Sequence, residues 1–272
     1  MNKIEKKILD LLKNLKDEHN VFSIKAEFEA EGTRMEELMR LKDIIDKVGL
    51  KLTVKIGGCE AIKDLYEAKI IGADFIVAPM IESEFGLRKF INAVKNNYDN
   101  DELQDVKFLI NIETITSYKN IDDILGSNYL SYLNGIVIGR GDFAESLGFD
   151  RDYVDSDELY NYTKEILKKA KEKNLICGMG GGVSINSVEF LKKLPDGLLD
   201  FFETRKVIFK YNYNKDEDTK LKNGIYKALN FELLWLKNKS NLYHKLSKED
   251  ENRIKKLQNR LKYLVYLLKG KI

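Results

Sequence analysis

The 272-residue chain is long enough for one large α/β barrel or two small domains, and its 43% hydrophobic content provides a sizeable core beneath a well-solvated, 33% charged surface. Lys and Arg number 46 against 44 Asp and Glu, a net charge of +2, which argues against an extended nucleic-acid footprint. No apolar run approaches the roughly 20 residues of a membrane span, the start Met1-Asn2-Lys3-Ile4-Glu5 lacks the layout of a secretory signal, and Cys59 and Cys177 are too far apart to form a ligand-spaced pair. The expectation is a cytoplasmic, reduced chain with no nucleic-acid or membrane partner.

In chain order, an amphipathic helix at about 4–15 comes first. A repeating unit then runs from residue 21 to about 211: a short β-rich run, a loop, a helical pattern. Strands are predicted at 21–28, 50–56, 75–80, 106–113, 135–138, 175–179 and 198–208, with helices between them at 35–48, 60–71, 84–97, 117–125, 156–173 and 185–194. Such alternation implies a parallel sheet, closed or open. Several strands alternate charged and apolar positions. Phe22, Ile24, Ala26 and Phe28 interleave with Lys25, Glu27 and Glu29, Leu52, Val54 and Ile56 with Lys51, Thr53 and Lys55, and Phe108, Ile110 and Ile112 with Asn111 and Glu113. Strands of an open doubly wound sheet read as near-continuous apolar runs, so the pattern favours a TIM-type (β/α) barrel with the charges pointing inward. Only seven strands are counted, so either one is cryptic or the first βα unit is incomplete and capped by the N-terminal helix. Beyond 211 the pattern is helical, at 216–239 and 248–269, the second with a stripe of Ile254, Leu257, Leu261, Leu264 and Leu268 that must be buried somewhere. The expected organisation is a barrel over 1–211 and a helical extension over 212–272.

Glu113 ends one strand and Asp142 follows the next. Neighbouring parallel strands lie about 4.8 Å apart, so the two carboxylates can converge. Unshielded they repel, and a hard divalent cation such as Mg²⁺ or Mn²⁺ removes the conflict; ion pairing to Lys55 or Arg205 is the alternative. Gly139-Arg140-Gly141, and Gly178 with Gly180, Gly181 and Gly182, free backbone amides for a carboxylate or phosphate, or serve as tight turns. His19 precedes the first strand and His244 sits between the predicted C-terminal helices, so proton transfer falls to a carboxylate, a lysine or metal-bound water.

These residues resemble the HpcH/HpaI aldolase and citrate lyase β-subunit family of the phosphoenolpyruvate/pyruvate barrel superfamily. The resemblance runs from about residue 21 to 207, on Lys51-Leu52-Thr53-Val54-Lys55, the segment from Gly72 to Ser83, Ile110-Asn111-Ile112-Glu113-Thr114 and the segment from Gly135 to Phe143. It implies a divalent-metal-dependent carbon–carbon lyase or aldolase working through the enolate of a pyruvate-like 2-keto acid, with Glu113 and Asp142 as metal ligands. The family's substrate-binding arginine matches Lys55, which cannot give the same two-point grip, and Arg140 is the expected substitute from the next loop. Gly139, Gly141 and Arg205 are the remaining expected substrate contacts. The aldolase branch's histidine is missing from Ala26-Glu27-Phe28-Glu29-Ala30-Glu31, which leaves Glu29 as the candidate base. A citrate-lyase-like enzyme on a CoA thioester or phosphoenolpyruvate, and a non-catalytic barrel binding small anions, are the alternatives. Resemblance and apolar stripe together imply a homo-oligomer joined through the C-terminal helices.

Overall fold

The computed structural model describes residues 1–213 and 217–269. Helix α1 (Lys3–His19) starts on an Asn2 cap, with Glu5 closing the capping box, and leads into β1 (Val21–Glu27). The chain continues through α2 (Met35–Asp46), β2 (Lys51–Lys55), α3 (Ile62–Ile70), β3 (Phe75–Ala78), α4 (Glu84–Asn97) and α5 (Glu102–Asp105). Next come β4 (Lys107–Ile112), α6 (Ile115–Lys119), α7 (Ile121–Leu125), β5 (Gly135–Gly139) and α8 (Arg140–Ser146). After α9 (Asp157–Glu172), β6 (Ile176–Gly180) and α10 (Val188–Lys193) follow β7 (Phe201–Glu203), β8 (Val207–Lys210) and α11 (Asp218–Lys269).

The eight strands close a barrel in sequence order. Strands β1 to β7 are mutually parallel, whereas β8 is antiparallel to both β7 and β1. The run at 198–208, read from sequence as a single strand, is therefore a hairpin around Thr204, Arg205 and Lys206, and it supplies the missing strand. The first βα unit is complete; the barrel is irregular at its other end. The two helices expected beyond residue 211 are one continuous 52-residue helix, α11, whose expected start at Asp216 lies outside the described residues.

The alternation of charge along the strands translates directly into two cores. Ile24, Ala26, Leu52, Val54, Phe108, Ile110 and Ile112 face outward beneath the helices, in the main hydrophobic core. Leu221, Ile225, Ala228, Phe231 and Trp235 bring one face of α11 into that core, and α11 runs antiparallel to α1, with Gly224 against His19 and Asn238 bonded to Asn2. Inside the barrel the lower tier is apolar, built from Val77, Leu109, Val137, Phe201 and Ile208. Phe22, expected on the outer face, joins this tier edge-on to Phe75 and Phe201, because the β1–β8 register slips between Val21 and Ser23. Above it stand Lys25, Lys55, Asn111 and Glu203, all buried. Burying that many polar groups is tolerable only where they satisfy one another.

Candidate active site

The polar tier opens at the carboxyl ends of the strands into a cavity of about 510 Å³. A larger cavity of about 900 Å³ opens at the opposite end, walled by Phe22, Phe75, Val77, Leu109 and Phe201. The smaller one is the candidate site because it gathers the titratable groups, and because barrels of this kind carry their chemistry on the loops that follow the strands.

Glu113, directly after β4, is 1% exposed. Its Oε1 accepts from the Met80 backbone N–H at 3.0 Å and its Oε2 from Asn111 Nδ2 at 2.7 Å. Met80 has a φ of 51°, an uncommon conformation for a residue with a side chain, and this turn aims its N–H at the carboxylate. The Lys55 ammonium lies 3.5 Å from Glu113 Oε2 and 2.8 Å from Glu29. Burial pushes the Glu113 carboxyl above its usual range; Lys55, Met80 and Asn111 oppose the shift, and Asp142 adds to it. Burial also works against the Lys55 charge, but Glu113 and Glu29 outweigh it and hold the ammonium above its ordinary pKa.

Gly139 makes the approach of β4 and β5 possible, since a Cβ there would overlap the Glu113 carboxylate. Gly181, at φ +74°, presses on the backbone of Arg140 and Gly141, so the two glycine loops form one floor. Gly141 and Asp142 lie in the first turn of α8. Lys25, in the same cavity wall, bridges Glu203 at 2.5 Å and Glu27 at 3.1 Å. The two carboxylates overcome burial and raise its pKa. Glu27 is pulled down by Lys25 against the effect of its own burial.

Most of the residues singled out from sequence meet here. Glu29, Lys55, Glu113, Gly139, Gly141, Asp142 and Arg205 all line the cavity, with Arg205 exposed at the rim on the β7–β8 turn. Arg140 does not. Its fully buried guanidinium donates to Gly180 O at 3.2 Å, Val154 O at 3.1 Å and Asp155 Oδ1 at 2.6 Å, and it lies 4.6 Å from the Phe190 ring centroid. The expectation that Arg140 acts in catalysis or grips substrate is corrected: its donors are committed to holding the β5, β6 and α9 ends together. Two residues not anticipated from sequence are present instead. Arg151 lies 3.7 Å from Asp142, and Glu232 of α11 reaches the rim, its carboxyl pushed up by burial. Neither belongs to a strand end, which was the signal used to find the others. Cys59 is half-buried and outside the cavity wall, and Cys177 is buried, where burial pushes its thiol up to about 12.

A divalent cation can be tested against this wall. Lys25, Lys55, Arg151 and Arg205 face Glu27, Glu29, Glu113, Asp142, Glu203 and Glu232, leaving two carboxylates in excess. Asn111 Oδ1 is fully buried with no hydrogen-bond partner, an omission that costs on the order of 1–3 kcal/mol unless something is bound there. Among the described residues no group of three or more His, Cys, Asp or Glu side chains is placed to hold a metal ion by itself. The fitting donors are thus Glu113, Asp142 and the Asn111 amide oxygen, an all-oxygen set suited to a hard cation.

Eight strands closed around a glycine-floored, carboxylate-rich mouth define a (β/α)-barrel of the kind that hosts enzymes. The profile of the HpcH/HpaI aldolase/citrate lyase family matches residues 26–188, and the chain belongs to that family. Comparison with curated sequences gives no match. Among solved structures, citrate synthase SbnG aligns with a TM-score of 0.57 at 16% identity, covering 85% of this chain and 98% of that one. An HpcH/HpaI aldolase from Desulfitobacterium hafniense DCB-2 aligns at 0.55 and 13% identity, over 67% and 76% of the two chains. A family protein from Burkholderia cenocepacia J2315 gives 0.53 and 14%, over 65% and 86%. At these identities the alignments establish the shared fold.

Proposed function

We propose that the chain is a divalent-metal-dependent carbon–carbon lyase that opens or forms the bond between the carbons α and β to the keto group of a 2-keto acid, releasing or consuming the enolate of a pyruvate-like product. The observation that carries this reading is the buried, unpartnered Asn111 Oδ1 next to Glu113, in a cavity wall that holds two more carboxylates than cations. A Mg²⁺ or Mn²⁺ ion held by Glu113 and Asp142 would supply polarisation of the keto oxygen and stabilisation of enolate charge. The protein's own groups do the rest. Backbone amides of the Gly139–Gly141 turn and the Lys55 ammonium hold the substrate carboxylate. Glu29, tied to Lys55 at 2.8 Å, takes or returns the proton at the carbon next to the carbonyl. The apolar tier of Val77, Leu109 and Val137 stands between the site and the cavity at the opposite end, with Val137 lining both. Arg205, exposed at the rim, favours a second, larger anionic group on the acceptor, which keeps a CoA thioester or phosphoenolpyruvate substrate as the second reading.

The test is exchange of pyruvate methyl protons with deuterium, followed by NMR with Mg²⁺ or Mn²⁺ added, beside calorimetric metal titration. Exchange that requires metal and disappears in Glu113→Gln together with metal affinity is the expected result. Metal binding without exchange on any keto acid, or Glu113→Gln with undiminished metal affinity, overturns the reading.

A further inference from the structure

Beyond its packed portion, α11 stands alone. Lys239 pairs with Glu37 at 2.8 Å and Tyr243 bonds Glu37 and stacks under Arg34. From residue 244 to residue 268 every side chain is exposed, a free rod of about 37 Å at 1.5 Å per residue. Its last four turns differ from the rest. Ile254, Leu257, Leu261, Leu264, Val265 and Leu268 are between 49% and 69% exposed. At 100° per residue they share one arc of about 100°.

Cations flank that arc on both sides: Arg253 and Arg260 along one border, Lys262 and Lys255 along the other. Residues 252–269 hold six Lys or Arg and no Asp or Glu. The acids Glu249, Asp250 and Glu251 stop just before the arc begins, and Asp250 occupies the position where the apolar line would continue. Tyr263 and Tyr266 lie off the arc, among the cations.

We infer that residues 252–269 form an in-plane anchor for an anionic lipid surface. The helix would lie flat, with its apolar arc among the acyl chains and its bordering cations at headgroup phosphates. Two other occupants fit less well. Pairing with the same stripe of a second copy offers only two heptads of contact and sets Arg253 and Arg260 against a flank that is also cationic, with no acid in the segment to neutralise them. A nucleic acid would satisfy the cations and leave six apolar side chains in water. Only an anionic bilayer takes both faces. The inference concerns association with a surface, not passage through it: among the described residues no helix is long and apolar enough to cross a membrane. It is also independent of the chemistry at the barrel mouth.

The test is co-sedimentation of the full chain with vesicles of phosphatidylcholine containing about one third phosphatidylglycerol, and with phosphatidylcholine alone. Binding to the first, weakened by salt and at least tenfold poorer on the second, is expected. Lys255→Gln with Lys262→Gln should lower partitioning about 25-fold, at about fivefold per cation, and Leu257→Gln with Leu261→Gln should abolish it. Both double variants should keep the parent's melting temperature, because these side chains touch nothing in the barrel. Three results overturn the inference: no vesicle binding, equal binding to neutral vesicles, or a dimer by light scattering that Leu261→Gln dissociates. Binding of single-stranded RNA that survives Leu257→Gln with Leu261→Gln, without vesicle binding, does so as well.

Discussion

Glu5 joins three elements at one carboxylate. It accepts from the Asn2 backbone N–H at 2.7 Å within α1, from the Arg40 guanidinium of α2, and from Asn238 of α11 at 3.4 Å. The Arg40 hydrogen bond is the main cause of a carboxyl pKa lowered from 4.5 to about 2, with burial opposing it. A shift of that size corresponds to a ceiling of about 3.4 kcal/mol. The Arg40 side chain is 37% exposed, so solvent screening reduces the expected contribution to about 1.5–2 kcal/mol. The depressed pKa fixes the sign: the stabilisation is complete above the unfolded value near 4.5 and fades as pH falls towards 2. Glu5→Gln keeps an acceptor for Asn2 and removes the charge. At pH 7 it should cost about 1.5–2 kcal/mol, lowering the melting temperature by about 3–8 °C. Urea unfolding followed by circular dichroism at pH 7, 5, 4 and 3 reads the effect, and the gap between parent and variant should narrow below pH 4.5. A gap that stays constant down to pH 3 would show that the charge does not act through Arg40 as the geometry requires.

Three further outcomes follow from the mouth of the barrel. Gly139→Ala places a methyl on the Glu113 carboxylate and should weaken calorimetric metal affinity about 10–100-fold without unfolding the chain. Arg140→Met leaves two carbonyls and the Asp155 carboxylate without their donor. It should cost about 3–5 kcal/mol in urea unfolding and leave KM for keto acid unchanged in the folded enzyme, whereas a raised KM would restore Arg140 to substrate binding. Lys55→Met strands Glu29 and Glu113 without their shared cation. It should raise KM more than tenfold, with partial recovery in Lys55→Arg.

The barrel was legible because its strands carry two chemically distinct faces: Lys25, Lys55, Asn111 and Glu113 could only point inward together, and the structure places them there. That Glu113 and Asp142 would line one cavity followed from the adjacency of β4 and β5. The reversal at Thr204, Arg205 and Lys206 was not legible, since none of these is a Gly, Pro or Asn of the kind that marks a tight turn. Nor was the continuity of α11, where residues 240–247, expected to separate two helices, are themselves helical. Arg140 shows a different limit. Sequence placed it beside Asp142, but whether a guanidinium turns to solvent or into Asp155 depends on a segment fifteen residues further along, which periodicity does not fix.

The reversed last strand has a consequence for the direction in which the chain leaves the barrel. In a barrel of eight parallel strands the final strand climbs to the catalytic rim and its helix descends. Here β8 descends, so α11 starts at the floor beside His19 and climbs, passing the rim at Glu232 before it continues outward. One strand's polarity therefore decides which side of the molecule the long rod projects from. It makes the rod and the mouth neighbours, so that molecules entering or leaving the cavity pass the base of the projecting helix.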